Sequence, residues 1–213
     1  MKPLLKQYVA AVRGGPHGLF SRGDLERLDA HALDGAAGAD ALAERGVRSL
    51  VDIGSGGGVP GLPLAIEMPH AHVHLVESQG WKCEFLLACA RALDLDSRVT
   101  VHQSRAEEAV AVIGRESLDA GVARAVAAPA IVAEYLSPFV RVGGTLLMWS
   151  TSAQAADLDP DPGRRRLGLG DVEVIAVESP LRDSAVLIAW PKIAPCDEAI
   201  PRRNGVAARK PLK

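Results

Sequence analysis

A glycine-rich loop follows the first clearly predicted strand of the chain. Directly after the run Val51-Asp52-Ile53, glycines stand at positions 54, 56, 57, 58 and 61. Because glycine adopts positive φ angles without steric cost, such a loop lets a ligand lie against bare backbone. The amides of the helix that starts after the loop point into the same crevice. We therefore predict a ligand-binding loop formed by Gly54, Gly56, Gly58 and Val59.

Two acidic residues beside this loop indicate which ligand it holds. A dinucleotide site requires the spacing Gly-x-Gly-x-x-Gly, and Val59 stands where the third glycine would be. Asp52 would place a negative charge beside a pyrophosphate, which electrostatics disfavours, whereas the same charge suits a cation. Glu77 ends the next predicted strand, close to the spacing at which an acid reaches ribose hydroxyls. S-adenosylmethionine carries an ammonium and a sulfonium and no phosphate, so we predict it as the cofactor.

Short apolar runs alternate with helical patterns along the chain, and these elements must position the loop. Phe85, Leu86, Cys89, Ala90 and Leu93 fall on one face of a predicted helix over 81–93, and a second helix is predicted over 129–140. Such alternation predicts a Rossmann-like α/β fold, with about seven mostly parallel strands and helices on both faces. The predicted strands are 49–53, 73–77, 99–102, 118–122, 144–149, 172–177 and 185–190.

Composition limits the organisation of the chain. Its 213 residues are 48% hydrophobic, which suits a single core. We predict a short amino-terminal helical segment (1–45), a central α/β domain (46–191) and a basic tail (192–213), with an exposed connection over 157–166. The three cysteines lack Cys-x-x-Cys spacing, so we expect no disulfide framework and no metal site. Without an apolar run of 18 residues or a secretory signal, we expect a soluble, cytoplasmic protein, most simply a monomer.

Several separate segments resemble the bacterial ribosomal RNA small-subunit methyltransferase G family, also called glucose-inhibited division protein B. The extended loop ends in Pro60-Gly61-Leu62-Pro63, which is far more specific than its glycines. Similar segments of that family match residues 31–34, 51–64, 104–108, 123–125 and 201–212. The resemblance implies a class I S-adenosylmethionine methyltransferase fold. It also implies methyl transfer to a guanine N7 in 16S rRNA.

The resemblance further implies roles for individual residues. Ala106 and Glu107 would lie near the adenine of the cofactor, and Arg124 would belong to the cofactor pocket. Arg124 could instead form only an ion pair at the surface. The implied partner is ribosomal RNA or the small ribosomal subunit, and four basic residues of the tail are predicted to contact it: Arg202, Arg203, Arg209 and Lys210.

The chain also departs from that family, mainly in the substrate half. Ser150 stands where the family carries a lysine, Gly35 where it carries a serine, and Leu19-Phe20-Ser21 where it carries Asn-Leu-Thr. The start also looks shortened. These changes leave open a divergent paralogue that methylates a small molecule or another RNA. A non-catalytic ribosome-binding protein with a relic cofactor pocket is the third hypothesis.

The implied reaction requires little acid–base chemistry. Guanine N7 has an in-plane lone pair and no proton to lose, so no general base is predicted and catalysis would come from positioning. Arg124 and His31 are the two candidates for a contact with the substrate, although a lone histidine can equally be structural. Trp81, Trp149 and Trp190 are predicted to pack in the core rather than to stack on bases.

Overall fold

A seven-stranded sheet forms the centre of the molecule. The computed structural model describes residues 1–156 and 163–212. Within them the strand order is β3-β2-β1-β4-β5-β7-β6, with β1 to β5 parallel and β7 antiparallel to both of its neighbours. The predicted mostly parallel sheet is confirmed. The strands are β1 (Ser49–Ile53), β2 (His72–Glu77), β3 (Val99–Gln103), β4 (Leu118–Arg124), β5 (Val140–Thr151), β6 (Glu173–Ala176) and β7 (Ala185–Pro191).

Helices cover both faces of this sheet, as predicted. Alternate residues of a strand point to opposite faces, and in β1 Leu50 joins one apolar cluster while Val51 and Ile53 join the other. The helices are α1 (Pro3–Arg13), α2 (Arg22–Leu25), α3 (Leu28–Ala36), α4 (Ala39–Glu44), α5 (Gly61–Glu67), α6 (Gly80–Ala92), α7 (Ala106–Ile113), α8 (Pro129–Leu136), α9 (Ser152–Ala156), α10 (Gly163–Arg166) and α11 (Val206–Arg209).

The amino-terminal helices pack onto the sheet domain. In α1, Pro3 occupies the first turn, where its missing N–H costs nothing. Leu5, Tyr8, Val9 and Val12 form its buried stripe and belong to the same cluster as residues of α5 and α6. The segment is therefore attached to the core through apolar packing, and its treatment as a separate part of the chain stays a proposal.

One predicted helix is shorter than its pattern indicated. The helix predicted over 129–140 ends at Leu136, a 3₁₀ turn spans Ser137–Phe139, and β5 begins at Val140. Pro138 cannot supply an N–H to a continuing helix, and Phe139 and Val140 are fully buried instead. The apolar residues that looked like a last helical turn therefore lead into a central strand.

The predicted exposed connection is only partly within the described chain. Residues 157–162 lie outside the described residues, and the remainder, Gly163–Arg166, forms α10. Leu167 and Leu169 follow α10 and are buried in the second apolar cluster. None of the helices in the described ranges has both the length and the apolar character needed to cross a bilayer.

Candidate functional site

A cavity of about 390 Å³ lies beyond the carboxyl ends of β1, β2 and β3. Its wall includes Gly54 after β1, Glu77 at the end of β2, and Ala106 and Glu107 at the start of α7. Strand order reverses between β1 and β4, and ligands of open α/β sheets bind at such switch points. The size is typical of a small-molecule site. The elements therefore bring four of the predicted cofactor residues to one cavity.

The backbone of the loop requires glycine at three of the predicted positions. Gly54, Gly56 and Gly58 have φ angles of 71°, 55° and 97°, in the left-handed region that side chains disfavour. The loop is also fixed from inside, since the Tyr8 hydroxyl donates to the carbonyl of Gly57 at 2.7 Å. The ligand therefore meets a preformed main-chain surface at Gly54.

Glu77 connects the second strand to this loop. One carboxylate oxygen accepts a hydrogen bond from the Gly56 N–H at 3.1 Å, and the other accepts from the Gln79 N–H at 2.8 Å. A carboxylate has about four acceptor sites, so it retains capacity for ligand hydroxyls on the cavity side. The residue thus both holds the loop and faces the cavity.

Asp52 lies behind the loop rather than on the cavity wall. Its Oδ2 accepts from the Gly61 N–H at 3.1 Å, whereas its fully buried Oδ1 has no hydrogen-bond partner in the described part of the chain. Burial raises the pKa of this carboxyl to about 7. An unpartnered acidic oxygen beneath the loop fits a ligand that carries positive charge, because the ionised form needs a compensating cation.

Two other predicted cofactor residues, Gly58 and Val59, are also buried behind the wall. Val59 packs toward α3, where a Cβ added at Gly35 would lie 2.6 Å from Val59 Cγ1. Glycine at position 35 therefore fits the close packing between α3 and the loop. Gly58 and Val59 shape the loop, and a direct contact with the cofactor stays a prediction for both.

Arg124 ends β4 outside the cavity wall, in a buried polar network. Its guanidinium donates to Asp34 Oδ2 at 2.8 Å and to His31 Nδ1 at 3.0 Å. His31 in turn donates through Nε2 to Asp24 at 3.1 Å. Burial, and then the charge of Arg124, lower the pKa of His31. The ion pair proposed as the alternative for Arg124 exists, but it is buried, and both ring nitrogens of His31 are occupied.

Arg182, which sequence reasoning missed, completes this network. It donates to Asp34 Oδ1 at 2.7 Å and to the Ser150 carbonyl at 3.3 Å. A cationic side chain therefore does lie beside Ser150, although Ser150 itself is fully buried. No local signal marked Arg182, because it reaches Asp34 across 148 positions of sequence.

The tail closes one side of the cavity, a second feature that sequence reasoning missed. Asn204, Gly205 and Ala208 lie on the wall, and the Gly205 N–H donates to Glu107 at 2.9 Å. Asn204 donates to Glu108 at 2.6 Å. The acids in the first turn of α7 were the available signal, but Glu107 was predicted only to lie near the adenine of the cofactor, not to bind the tail.

The four basic tail residues predicted to contact RNA differ in their surroundings. Arg202 forms two hydrogen bonds with the carboxylate of Glu134, at 2.6 and 2.5 Å, and this carboxylate is almost fully buried. The pair holds Arg202 in the fold, which makes it the least suited of the four to bind phosphate. Arg203, Arg209 and Lys210 are exposed.

Two further predictions concern tryptophans and metal ligands. Trp149 and Trp190 are buried as predicted, but the core assignment of Trp81 was wrong, because its side chain stands at the start of α6 and 39% of the residue is exposed. In the described ranges, no group of three or more His, Cys, Asp or Glu side chains could hold a metal ion. All three cysteines are buried thiols.

Comparison with known proteins identifies a family and relatives that carry its name. The family model described as rRNA small subunit methyltransferase G matches residues 1–167. A ribosomal RNA small subunit methyltransferase G from Roseiflexus castenholzii is 41% identical over 173 residues, covering 76% of this chain and 70% of that protein. The protein of the same name from Gloeobacter violaceus is 34% identical over 189 residues, covering 88% and 75%.

Solved structures share the fold at low sequence identity. The S-adenosylmethionine-dependent methyltransferase SibL superposes with a TM-score of 0.60 at 15% identity, covering 90% of this chain and 70% of that one. A precorrin-6y C5,15-methyltransferase from Geobacter metallireducens gives 0.52 at 12% identity, covering 85% and 94%. These similarities confirm the predicted methyltransferase fold.

Proposed function

We infer the function of the chain from the family to which it belongs, rRNA small subunit methyltransferase G, and from the cavity at its strand ends. The chain is an S-adenosylmethionine-dependent rRNA methyltransferase. The proposed acceptor is N7 of a guanine in 16S rRNA. The observation that carries the proposal is the left-handed glycine loop, with Glu77 on the cavity side and the unpartnered Asp52 oxygen beneath it.

Three groups of the chain would hold the cofactor. Glu77 would accept hydrogen bonds from the ribose hydroxyls, since it lies on the wall and keeps free acceptor capacity. Ala106 and Glu107 would border the adenine. The ionised carboxylate of Asp52, which lies behind the loop, would attract the positively charged cofactor. When bound, S-adenosylmethionine supplies a methyl group attached to a positively charged sulfur.

The protein residues contribute position rather than proton transfer. Guanine N7 offers its lone pair without losing a proton, so the chain has only to hold that nitrogen in line with the methyl group. His31 suits this account, because both of its ring nitrogens already hold protein partners and neither is free to act as a base. Through its bond to Arg124, His31 would position the end of β4 beside the cavity.

The proposed partner is ribosomal RNA within the small ribosomal subunit. Arg203, Arg209 and Lys210 are exposed next to the tail residues that border the cavity, where they would contact phosphates. A monomer acting in the cytoplasm suits this role. We also propose the division into an amino-terminal helical segment (1–45), a methyltransferase domain (46–191) and a basic tail (192–213).

Methyl transfer to purified subunits tests the proposal. Small ribosomal subunits from a strain that lacks the gene would be incubated with S-adenosylmethionine carrying a radiolabelled methyl group, and the RNA would be digested to nucleosides. We expect label in 7-methylguanosine from 16S rRNA, and none with the Gly54→Val variant. Label in a metabolite or another RNA would favour a divergent paralogue. Cofactor binding without transfer to any RNA would favour a non-catalytic ribosome-binding protein.

A further inference from the structure

Trp81 is an exposed aromatic residue beside the cofactor cavity. It is the second residue of α6, three positions after Ser78, which lies on the cavity wall. Its exposed fraction is 39%, compared with 3% for each of the other two tryptophans. The core of the protein therefore does not require this indole. Tryptophan is enriched at binding interfaces relative to the rest of protein surfaces.

Two contacts favour one orientation of the indole ring before any partner binds. Its Nε1–H donates to the Gln79 side-chain oxygen at 3.1 Å. Gly18 lies next to the edge of the ring, because a Cβ added at Gly18 would be 3.6 Å from Trp81 Cη2. Ordering a side chain on binding costs free energy, so a ring that is already held binds a flat partner more tightly.

One positive charge is in contact with the ring, and a second lies on the cavity wall. The Lys82 ammonium lies 5.4 Å from the centroid of the Trp81 ring. Arg105, on the cavity wall, is exposed, and it makes no ion pair and no side-chain hydrogen bond with the described residues. An aromatic face beside a cation is a combination that binds single-stranded nucleic acid, through stacking on a base and attraction of its phosphates.

We propose that Trp81 stacks on a nucleobase of the RNA substrate next to the target guanine, with Lys82 attracting the adjoining phosphate. This inference rests on the proposed function and adds a substrate-binding residue to it. An apolar protein partner would need a wider apolar surface, whereas the ring contacts described above are with glycine, polar or charged residues: Gly18, Gln79 and Lys82.

Tryptophan fluorescence observes this contact directly. Because Trp149 and Trp190 are buried, the solvent-sensitive part of the emission comes from Trp81. The titrant is unmethylated small subunits or their extracted 16S rRNA, whichever the unsubstituted chain methylates. We expect quenching with the unsubstituted chain, and little quenching with Trp81→Phe at equal saturation. Equal quenching in both proteins would overturn the proposal.

Steady-state kinetics test whether the contact contributes to substrate binding. Loss of one base–aromatic stack should raise KM for RNA about tenfold in Trp81→Ala. The values of kcat and of Kd for S-adenosylmethionine should stay unchanged, and Trp81→Phe should recover most of the affinity. Leu87→Ala is the matched control, since Leu87 is 40% exposed on the same helix.

The results separate the two proposals. If the unsubstituted chain methylates rRNA and Trp81→Ala keeps the same KM, the stacking proposal fails while the function stands. An equal rise of KM in Leu87→Ala would also overturn it, because the effect would not be specific to the ring. If the unsubstituted chain methylates no RNA, the proposed function fails, and the stacking role fails with it.

Discussion

The glycine loop and the carboxyl-terminal tail border the same cavity, but different forces hold them in place. The loop depends on left-handed backbone at Gly54, Gly56 and Gly58 and on buried contacts such as that from Tyr8. The tail packs Ile200 and Leu212 into the core, and beside the cavity it depends on acidic side chains of α7 and α8, which accept hydrogen bonds from three of its residues: Arg202, Asn204 and Gly205.

This difference determines what each side of the cavity tolerates. Backbone conformation is insensitive to salt but intolerant of side chains, so the loop should fail on substitution and not on a change of ionic strength. Exposed polar contacts are screened by salt and tolerate change. The buried pair of Arg202 and Glu134 is the exception in the tail, and it separates the structural arginine from the exposed basic residues.

The largest expected effect is that of Gly54→Val. The change forces a β-branched residue to φ 71° and places its Cβ 2.9 Å from Val126 Cγ2 on the cavity wall. We expect binding of S-adenosylmethionine to weaken more than about 100-fold, because the cradle must shift. Calorimetric titration measures this loss.

Gly46→Val is the matched control for backbone strain. Gly46 has a φ of 68° with no atom within 4 Å of an added Cβ, and it lies between α4 and β1, outside the cavity wall. It should lose stability without losing cofactor affinity. If the unsubstituted chain, Gly54→Val and Gly46→Val all bind S-adenosylmethionine with equal affinity, the cofactor does not bind at the loop.

The second effect concerns the attachment of the tail. Arg202→Ala leaves the carboxylate of Glu134 buried without its partner, which should destabilise the docked tail by about 3 kcal/mol. Hydrogen exchange over 201–212 should therefore increase, and addition of Glu134→Gln should restore part of the protection. If Arg202→Ala lowers RNA affinity and leaves exchange unchanged, Arg202 contacts RNA instead.

The third effect is a pH dependence of cofactor binding. The pKa of Asp52 is about 7, and only its ionised form attracts a cation. Affinity for S-adenosylmethionine should therefore rise about tenfold from roughly pH 6 to pH 8, as the carboxyl loses its proton. In Asp52→Asn the affinity should be low and independent of pH, with the fold retained. An unchanged pH profile in this variant would show that Asp52 does not act on the cofactor.

The smallest effect is expected at the exposed tail residues. Arg203→Ala should weaken RNA binding about threefold at low salt and reduce the slope of log affinity against log salt by about one. Cofactor affinity should not change. Arg91→Ala, on the last turn of α6, serves as the control for loss of one exposed charge. Identical salt slopes for both variants would mean that Arg203 makes no phosphate contact.

Much of the fold could be predicted from the sequence, because buried parallel strands are continuous apolar runs. The strand predicted over 118–122 lies within β4, and that predicted over 144–149 lies within β5. The start of β5 was missed, since Arg141, Gly143 and Gly144 give no strand pattern. Their placement depends on the bulge in the pairing with β4, which only the assembled sheet defines.

Part of the candidate site could also be predicted from the sequence, and part could not. The loop and Glu77 could be predicted because the glycines and the acid at a strand end are visible in the sequence itself. The role of Arg182 and the docking of the tail could not, since both depend on partners brought together by folding. Trp81 was assigned to the core together with the other two tryptophans, and the structure instead leaves it exposed in the first turn of α6.

A crystal structure with S-adenosylhomocysteine, the demethylated product, tests the central claim most directly. The account predicts ribose hydroxyls at the Glu77 carboxylate, adenine beside Ala106, and the tail docked along one side of the cavity. A companion soak with NAD should leave the cavity empty. Nucleoside bound elsewhere, or NAD in the cavity, would contradict the assignment of this site.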